Sequence, residues 1–296
     1  MTATSHRNTI HLEQAKILDQ EAFAGEQHIL RVHAPSIAAH ANPGSFVHVE
    51  CDHALPMRRP LSIMDTDPGT GRVDFLYKVV GTGTRLLAER KSGESISVLG
   101  PIGSPFVVNA DKTLPLLIGG GVGIPPMVFL ARQLATRRQE GFMPFVIMGS
   151  EVPFPFESRS SQLPVPGMPE QATACMPQLE DCGVASRLAS LQGYPGCFNG
   201  FVTELARSWL DAMDDHQRSR VEVFACGPHP MLEAVAKLAR DYGLPCQVSL
   251  EEFMACAVGG CAGCVVEIQT NQGPAMKRVC VDGPVFNAES VFPEVP

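Results

Sequence analysis

The first hundred residues alternate apolar and polar positions in short runs, GSFVHVECD, RRPLSIMDTDPGTG, RVDFLYKVVGTGT and GESISVLGPIG, each bounded by Gly, Pro or Asp. A period of two with such punctuation predicts antiparallel strands, enough of them to close a small barrel. TRLLAERKSGE interrupts them as a short helix. From Leu114 the pattern changes. LPLLIGGG is a continuous apolar run suited to a strand buried on both faces, and PPMVFLARQLATRRQEG follows with apolar residues at helical spacing and a glycine stop. MPFVIMGS and VEVFACGP predict further buried strands, and HPMLEAVAKLARDYGL another amphipathic helix. Strands alternating with helices predict an α/β fold with a doubly wound parallel sheet. The proline-rich stretch VPFPFESRSSQLPVPGMPEQATACMPQ lacks periodicity and predicts an irregular excursion over about residues 152–196. The expected organisation is multi-domain: an antiparallel β-barrel over residues 1–110, a parallel-sheet domain over 111–249, and a small cysteine-rich tail over 250–296.

Composition narrows the function classes. The chain is 45% hydrophobic and 18% charged, with 23 basic against 31 acidic residues and a net charge of −8. Such a surface does not attract nucleic-acid phosphates or anionic lipid, so neither is expected as a partner. Residues Thr113 to Ala131 form a long uncharged run, but IGGGVGIPPM breaks it with glycines and prolines, which predicts strand, loop and helix instead of a membrane span. The amino terminus, MTATSHRNTIHLEQAK, carries charges where a secretory signal needs an apolar stretch, so the expected compartment is the reducing cytoplasm. Ten cysteines in that compartment point to metal or redox chemistry before disulfides.

Four of them, Cys256, Cys261, Cys264 and Cys280, stand as C-x4-C-x2-C-x15-C, the first three at the plant-type [2Fe-2S] spacing. Ala257, Gly259, Gly260, Ala262 and Gly263 between them are small, so the backbone can approach a cluster and turn N–H groups on its sulfurs. A structural zinc site or plain buried thiols are the alternatives, although zinc more often takes two short knuckles where this chain has one. Cys175, Cys182 and Cys197 are candidates for a second metal or are free thiols. Upstream, Arg59 and Ser62 in RRPLS, with Gly83 and Thr84 in GTGT, could hold a flavin diphosphate and ring, or be a surface charge and a turn. Gly119, Gly120, Gly121 and Gly123 lie between a strand and a helix, the context of a dinucleotide site. Cys226, Gly227 and Pro228 end a later strand at the same sheet edge, with Cys226 either a nicotinamide contact or a small buried hydrophobe. Glu151 is a candidate for repelling a 2'-phosphate, or a solvated charge, so NAD and NADP stay equally open.

In these motifs and their order the chain resembles the ferredoxin reductase superfamily, most closely the electron-transfer subunits of two-component, NAD-dependent dihydroorotate dehydrogenases. RRPLSI, YKVVGTGTRLLA, VLGPIGSPF, IGGGVGIPPM, NGFVTELA, CGPHPML, SLEEFMACAVGGCAGCVV and CVDGPVF carry the resemblance over nearly the whole chain. It implies FAD held by Arg59, Pro60, Leu61 and Ser62, by Leu76, Tyr77 and Lys78, and by Gly83 and Thr84. It also implies a [2Fe-2S] cluster on Cys256, Cys261, Cys264 and Cys280, and NAD or NADP as co-substrate. An FMN-containing dihydroorotate dehydrogenase catalytic subunit is the implied partner in a hetero-oligomer, since this chain lacks the roughly 250 residues of an additional (β/α)8 barrel. A diaphorase-type subunit of a soluble hydrogenase or of a ferredoxin:NADP transhydrogenase is the second reading, and a zinc-stabilised binding module the third. The chain departs from the family in Phe253, where Arg is common, in the long segment from Val152 to Gly196, and in Ala257, where glycine is usual and a methyl group could crowd the cluster.

Overall fold

The computed structural model describes residues 9–294. Residues 1–8, which carry half of the amino-terminal stretch read as lacking an export signal, lie outside the described residues. Among the described residues no helix is long and apolar enough to cross a membrane.

Six strands close the expected barrel: β1 (His11–Phe23), β2 (Gln27–His33), β3 (Phe46–Val49), β4 (Arg59–Asp67), β5 (Arg72–Lys78) and β6 (Ser95–Ile102), in the order β1-β2-β5-β4-β3-β6, with β6 returning to β1. All pairs are antiparallel. The alternation decides which side chains turn inward: Val47, Val49, Leu61, Ile63, Phe75 and Tyr77 fill the interior, while Phe46, Met64 and Leu76 face outward and are buried against the rest of the molecule. Helix α1 (Pro35–His40) follows β2, and α2 (Thr82–Ala88) is the short helix expected after β5.

The second unit is a six-stranded sheet. Strand β7 (Leu114–Gly120), buried along its whole length, runs through a single 3-10 turn at Gly121–Gly123 into α3 (Ile124–Ala135), whose Pro125 and Pro126 occupy the first turn, where a missing N–H costs nothing. Gly141, at φ +88°, ends the following turn. Strand β8 (Phe145–Gly149) is next, and then the proline-rich segment, which departs from expectation. It forms a two-stranded ribbon of β9 (Arg159–Ser160) and β10 (Ala174–Cys175), the short helix α4 (Pro177–Asp181), and β11 (Ala185–Ala189), a full edge strand of the main sheet. Helices α5 (Val202–Asp211) and α6 (Asp215–Arg218), β12 (Val221–Cys226), α7 (His229–Asp241) and β13 (Cys246–Ser249) complete the parallel part, ordered β11-β8-β7-β12-β13.

Past β13 the chain runs through the cysteine loop into the hairpin of β14 (Val265–Thr270) and β15 (Gly273–Arg278). It then adds β16 (Val285–Asn287) antiparallel to β13 and ends in α8 (Ala288–Val291). The tail is thus stitched to the sheet, and its Met254, Ala257, Cys264, Val279 and Cys280 share an apolar cluster with Phe46 and Ile102 of the barrel. Barrel, sheet edge and cysteine loop meet at one joint.

Candidate electron-transfer site

The hairpin explains the fifteen-residue spacer before the last cysteine. Val265 pairs with Arg278, and the Val279 N–H donates to the Cys264 carbonyl at 3.0 Å, so the return strand delivers Cys280 beside Cys264. The Cys280 N–H points at Cys264 Sγ (3.5 Å), and the Gly263 N–H at Cys261 Sγ (3.4 Å). Ala257 (φ +56°), Gly259 (φ +80°) and Ala262 (φ +56°) put three left-handed residues into six positions, which curls the main chain around the sulfurs. Arg278 buttresses the loop from behind through the Gly259 carbonyl at 3.1 Å. A side chain on Gly259 would lie 2.5 Å from a Val281 methyl, so only glycine fits there.

Burial would raise the Cys256 thiol, but N–H groups of Val258, Cys261 and Gly260 outweigh it and bring the thiol down to about 7. Burial and the neighbouring Cys264 push Cys280 up to about 12. Cys256 also raises the Cys280 thiol, so the first and last cysteines of the motif sense each other across the loop. Among the described residues no three His, Cys, Asp or Glu side chains converge on a single ion. Four thiols on one loop and its return strand, with N–H groups turned on two of their sulfurs, suit an iron-sulfur cluster, in which each iron takes two protein ligands.

On the barrel, β4 and β5 are neighbours and form a wall beside α2. The Arg59 guanidinium lies across Gly83, where an added Cβ would come within 2.9–3.0 Å of it. Thr84 Oγ1 accepts the N–H groups of Val80 (3.0 Å) and Gly81 (3.2 Å), tying down the turn that opens α2. Arg59, Gly83 and Thr84 are therefore brought together. Pro60, Ser62 and Lys78 stand half-buried on the wall. Leu61 and Tyr77 turn into the barrel, where the Tyr77 hydroxyl donates to Gln20 (3.1 Å), which leaves their main chain to face a ligand. Leu76 packs outward beneath α3 with Ile124 and Met127.

At the sheet edge β7 and β12 are adjacent, with Gly119 opposite Cys226. The glycines here are required mainly by protein. A Cβ on Gly123 would strike the Cys226 carbonyl at 2.4 Å, and one on Gly120 would strike Met231 Sδ at 2.5 Å. Gly227 is closed by Met231 in the same way, and Gly119 by Ile124. Gly121, at φ +54° with nothing within 4 Å, is the glycine of this loop that faces open space. Pro228 caps α7. Cys226 is fully buried, and burial, with Glu251 adding to it, raises its thiol well above the ordinary value.

The comparisons with known proteins follow this geometry. Residues 251–292 match the iron-sulfur cluster binding domain of dihydroorotate dehydrogenase B. An electron transfer subunit of dihydroorotate dehydrogenase B (NAD(+)) from a Geobacillus species is 34% identical over 253 residues, 84% of this chain and 86% of the relative. The chain belongs to this family. A namesake from Caldanaerobacter subterraneus subsp. tengcongensis is 29% identical and covers 94% of this chain and 98% of its own. Among solved structures, an NADH-dependent reduced ferredoxin-NADP oxidoreductase, studied for flavin-based electron bifurcation, superposes with a TM-score of 0.74 at 26% identity, covering 94% of this chain and 90% of that one. A ferredoxin reductase of carbazole 1,9a-dioxygenase shares the fold at a TM-score of 0.61 and 20% identity, covering 80% of this chain and 67% of its own. The ferredoxin reductase-like architecture expected from the motifs is the observed one.

For this electron-transfer subunit, sequence reasoning overlooked Glu251. It stands two residues past β13, with Oε1 3.9 Å from Cys226 Sγ, and so links the sheet edge to the cysteine loop. Its carboxyl is raised by the protein packed around it, with the Cys226 thiol pulling the opposite way. The signal was the acid pair in SLEE where strand gives way to tail, which no spacing rule singles out. Glu151 sits exposed just past β8, its carbonyl accepting from the Tyr194 hydroxyl. Cys175, Cys182 and Cys197 form no disulfide, and Cys175 donates to Glu180.

Proposed function

We propose that this chain carries electrons between an FMN-containing dihydroorotate dehydrogenase catalytic subunit and NAD, through a [2Fe-2S] cluster and FAD, in a cytoplasmic hetero-oligomer of pyrimidine biosynthesis. The observation that carries this reading is that relatives so named match 84–94% of the chain, through barrel, sheet and tail alike. FAD supplies exchange of a hydride with nicotinamide and of single electrons with the cluster.

The chain's own residues then have assignable parts. Residues 1–110 serve the flavin: Arg59 and the turn at Gly83–Thr84 take the diphosphate, and the strands carrying Pro60, Leu61, Ser62, Leu76, Tyr77 and Lys78 form the wall behind it. Residues 111–249 serve the nucleotide. Gly121 leaves room for a close backbone approach, while Gly119, Gly120, Gly123, Gly227 and Pro228 fix the two loops against each other. Cys226 sits beneath that edge as a neutral thiol held by Glu251. Residues 250–296 hold the cluster on Cys256, Cys261, Cys264 and Cys280, with Cys261 exposed toward a partner and Cys264 and Cys280 buried toward the barrel.

The test is an anaerobic visible spectrum of the chain co-expressed with its catalytic partner, with dihydroorotate and NADH added in separate cuvettes. Both are expected to bleach flavin and cluster. Bleaching by NADH with none by dihydroorotate would leave the diaphorase or transhydrogenase reading, which the likeness to the ferredoxin-NADP oxidoreductase favours.

A further inference from the structure

His48 lies in FVHV, the middle of β3, where alternation turns Val47 and Val49 into the barrel and leaves Phe46 and His48 on its outer face. That face does not meet solvent: His48 is 1% exposed. Its strand neighbours are Pro60 on the flavin wall and Leu99 on β6. From the other side Phe46, next to His48 on the same strand face, shares an apolar cluster with Met254, Ala257, Cys264 and Cys280 of the cysteine loop, and the His48 ring lies close to the main chain of Met254, two residues before the first cluster cysteine, and of Arg58, beside the flavin segment. Arg58 is anchored by its own bonds to the His48 carbonyl (3.2 Å) and the Ser97 carbonyl (2.9 Å), so the wall at this point is rigid. The ring nitrogen Nε2 has no hydrogen-bond partner among the described residues, although buried polar atoms are nearly always paired. Sandwiched between Phe46, Leu99 and the cysteine loop, a leucine would pack at this position without that cost.

We propose that His48 is a positioning residue that fixes the cysteine loop against the flavin wall and thereby sets the rate at which electrons pass between FAD and the cluster. The proposal rests on the functional reading above and deepens it. Burial, with Arg58 adding to it, depresses the ring to about 4, so it is neutral at working pH and a neutral replacement changes the packing and hydrogen bonding without removing a charge.

The holoprotein is tested by anaerobic stopped flow with NADH, whose hydride brings two electrons to the flavin, one of which then reduces the cluster. In His48→Leu, flavin bleaching is expected to stay within about twofold of wild type while cluster reduction slows by about tenfold or more, the scale of effect that a small misplacement of reacting groups produces. Amides of residues 251–258 are expected to exchange faster with deuterium, and His48→Gln, which keeps a donor at similar reach, to restore both readouts. Cluster reduction in His48→Leu at the wild-type rate would overturn the proposal, as would equal slowing of bleaching and cluster reduction. Should His48→Leu lose its flavin, His48→Asn, whose donor is drawn back from Met254, is held to the same criteria. If wild type itself takes up no iron or shows no bleaching, the functional reading fails, and amide exchange still decides whether His48 holds the loop.

Discussion

Ala257 adopts φ +56°, which costs an L-residue roughly 1–2 kcal/mol, and does so with its methyl buried in the apolar cluster beneath the cysteine loop. That cluster also holds Cys264 and Cys280. Ala262 has the same φ but is exposed. Ala262→Gly is expected to stabilise the chain by about 1 kcal/mol in urea denaturation. Ala257→Gly should change stability little, because strain relief is offset by about 0.8 kcal/mol of lost methyl burial. Neither should alter the iron content of about two per chain. At this scale the sequence exposed the cysteines, because thiolate spacing is a local constraint. Glu251 and His48 escaped it. Their partners, Cys226 and Met254, lie on other elements, and a single acid or imidazole in a strand or loop has no periodic signature.

Among the elements, the proline-rich segment is where local pattern and structure part company. Its organiser is Glu180, whose carboxylate accepts from Ser161 Oγ (2.6 Å), the Gln162 and Leu163 N–H groups (2.7 and 3.1 Å), Cys175 Sγ (3.2 Å) and Arg159 Nε (3.2 Å). Burial alone would raise that carboxyl, yet these donors together bring it down to about 2. One acid thus gathers five donors from a stretch with no hydrophobic period, and β11 can then join the sheet edge. Removing the acceptor strands the buried Cys175 thiol and several partly buried donors, so Glu180→Ala is expected to cost about 2 kcal/mol, with Glu180→Gln milder, measured by denaturant midpoint. The segment also reaches across to the barrel, where Gln27 Nε2 donates to the Pro153 carbonyl at 2.7 Å. The β14–β15 hairpin was missed for a different reason: VVEIQTNQGPAMKRV alternates and turns at Gly273 (φ +99°), but the cysteines flanking it drew the reading to themselves.

Across the whole molecule, the barrel and the sheet are joined by a partly buried charge network. Arg132 of α3 pairs with Asp65 (3.1 Å), Arg72 with Asp65 (3.0 Å) and Asp74 (3.1 Å), and Arg31 approaches Asp74 at 3.8 Å. Burial raises Asp74 to about 6, against the pull of Arg72. Because this folded-state value lies above that of the unfolded chain, the native state binds the extra proton between about pH 4 and 6, and stability falls as pH rises through that window. Above it the ionised carboxylate costs about 3 kcal/mol, so Asp74→Asn is expected to gain up to that much at pH 8 and nothing at pH 4 in parallel urea titrations. By itself the sequence determined the barrel's strands, the alternating strand–helix order and the four cysteines, because periodicity and ligand spacing are set by neighbours along the chain. Tertiary structure alone decided that a hairpin returns Cys280 to Cys264, that most of the glycines serve loop-on-loop packing, that Glu180 orders the long segment, and that flavin wall, sheet edge and cysteine loop share one joint. Each of those depends on residues far apart in sequence whose meeting is fixed by which buried surfaces close on one another.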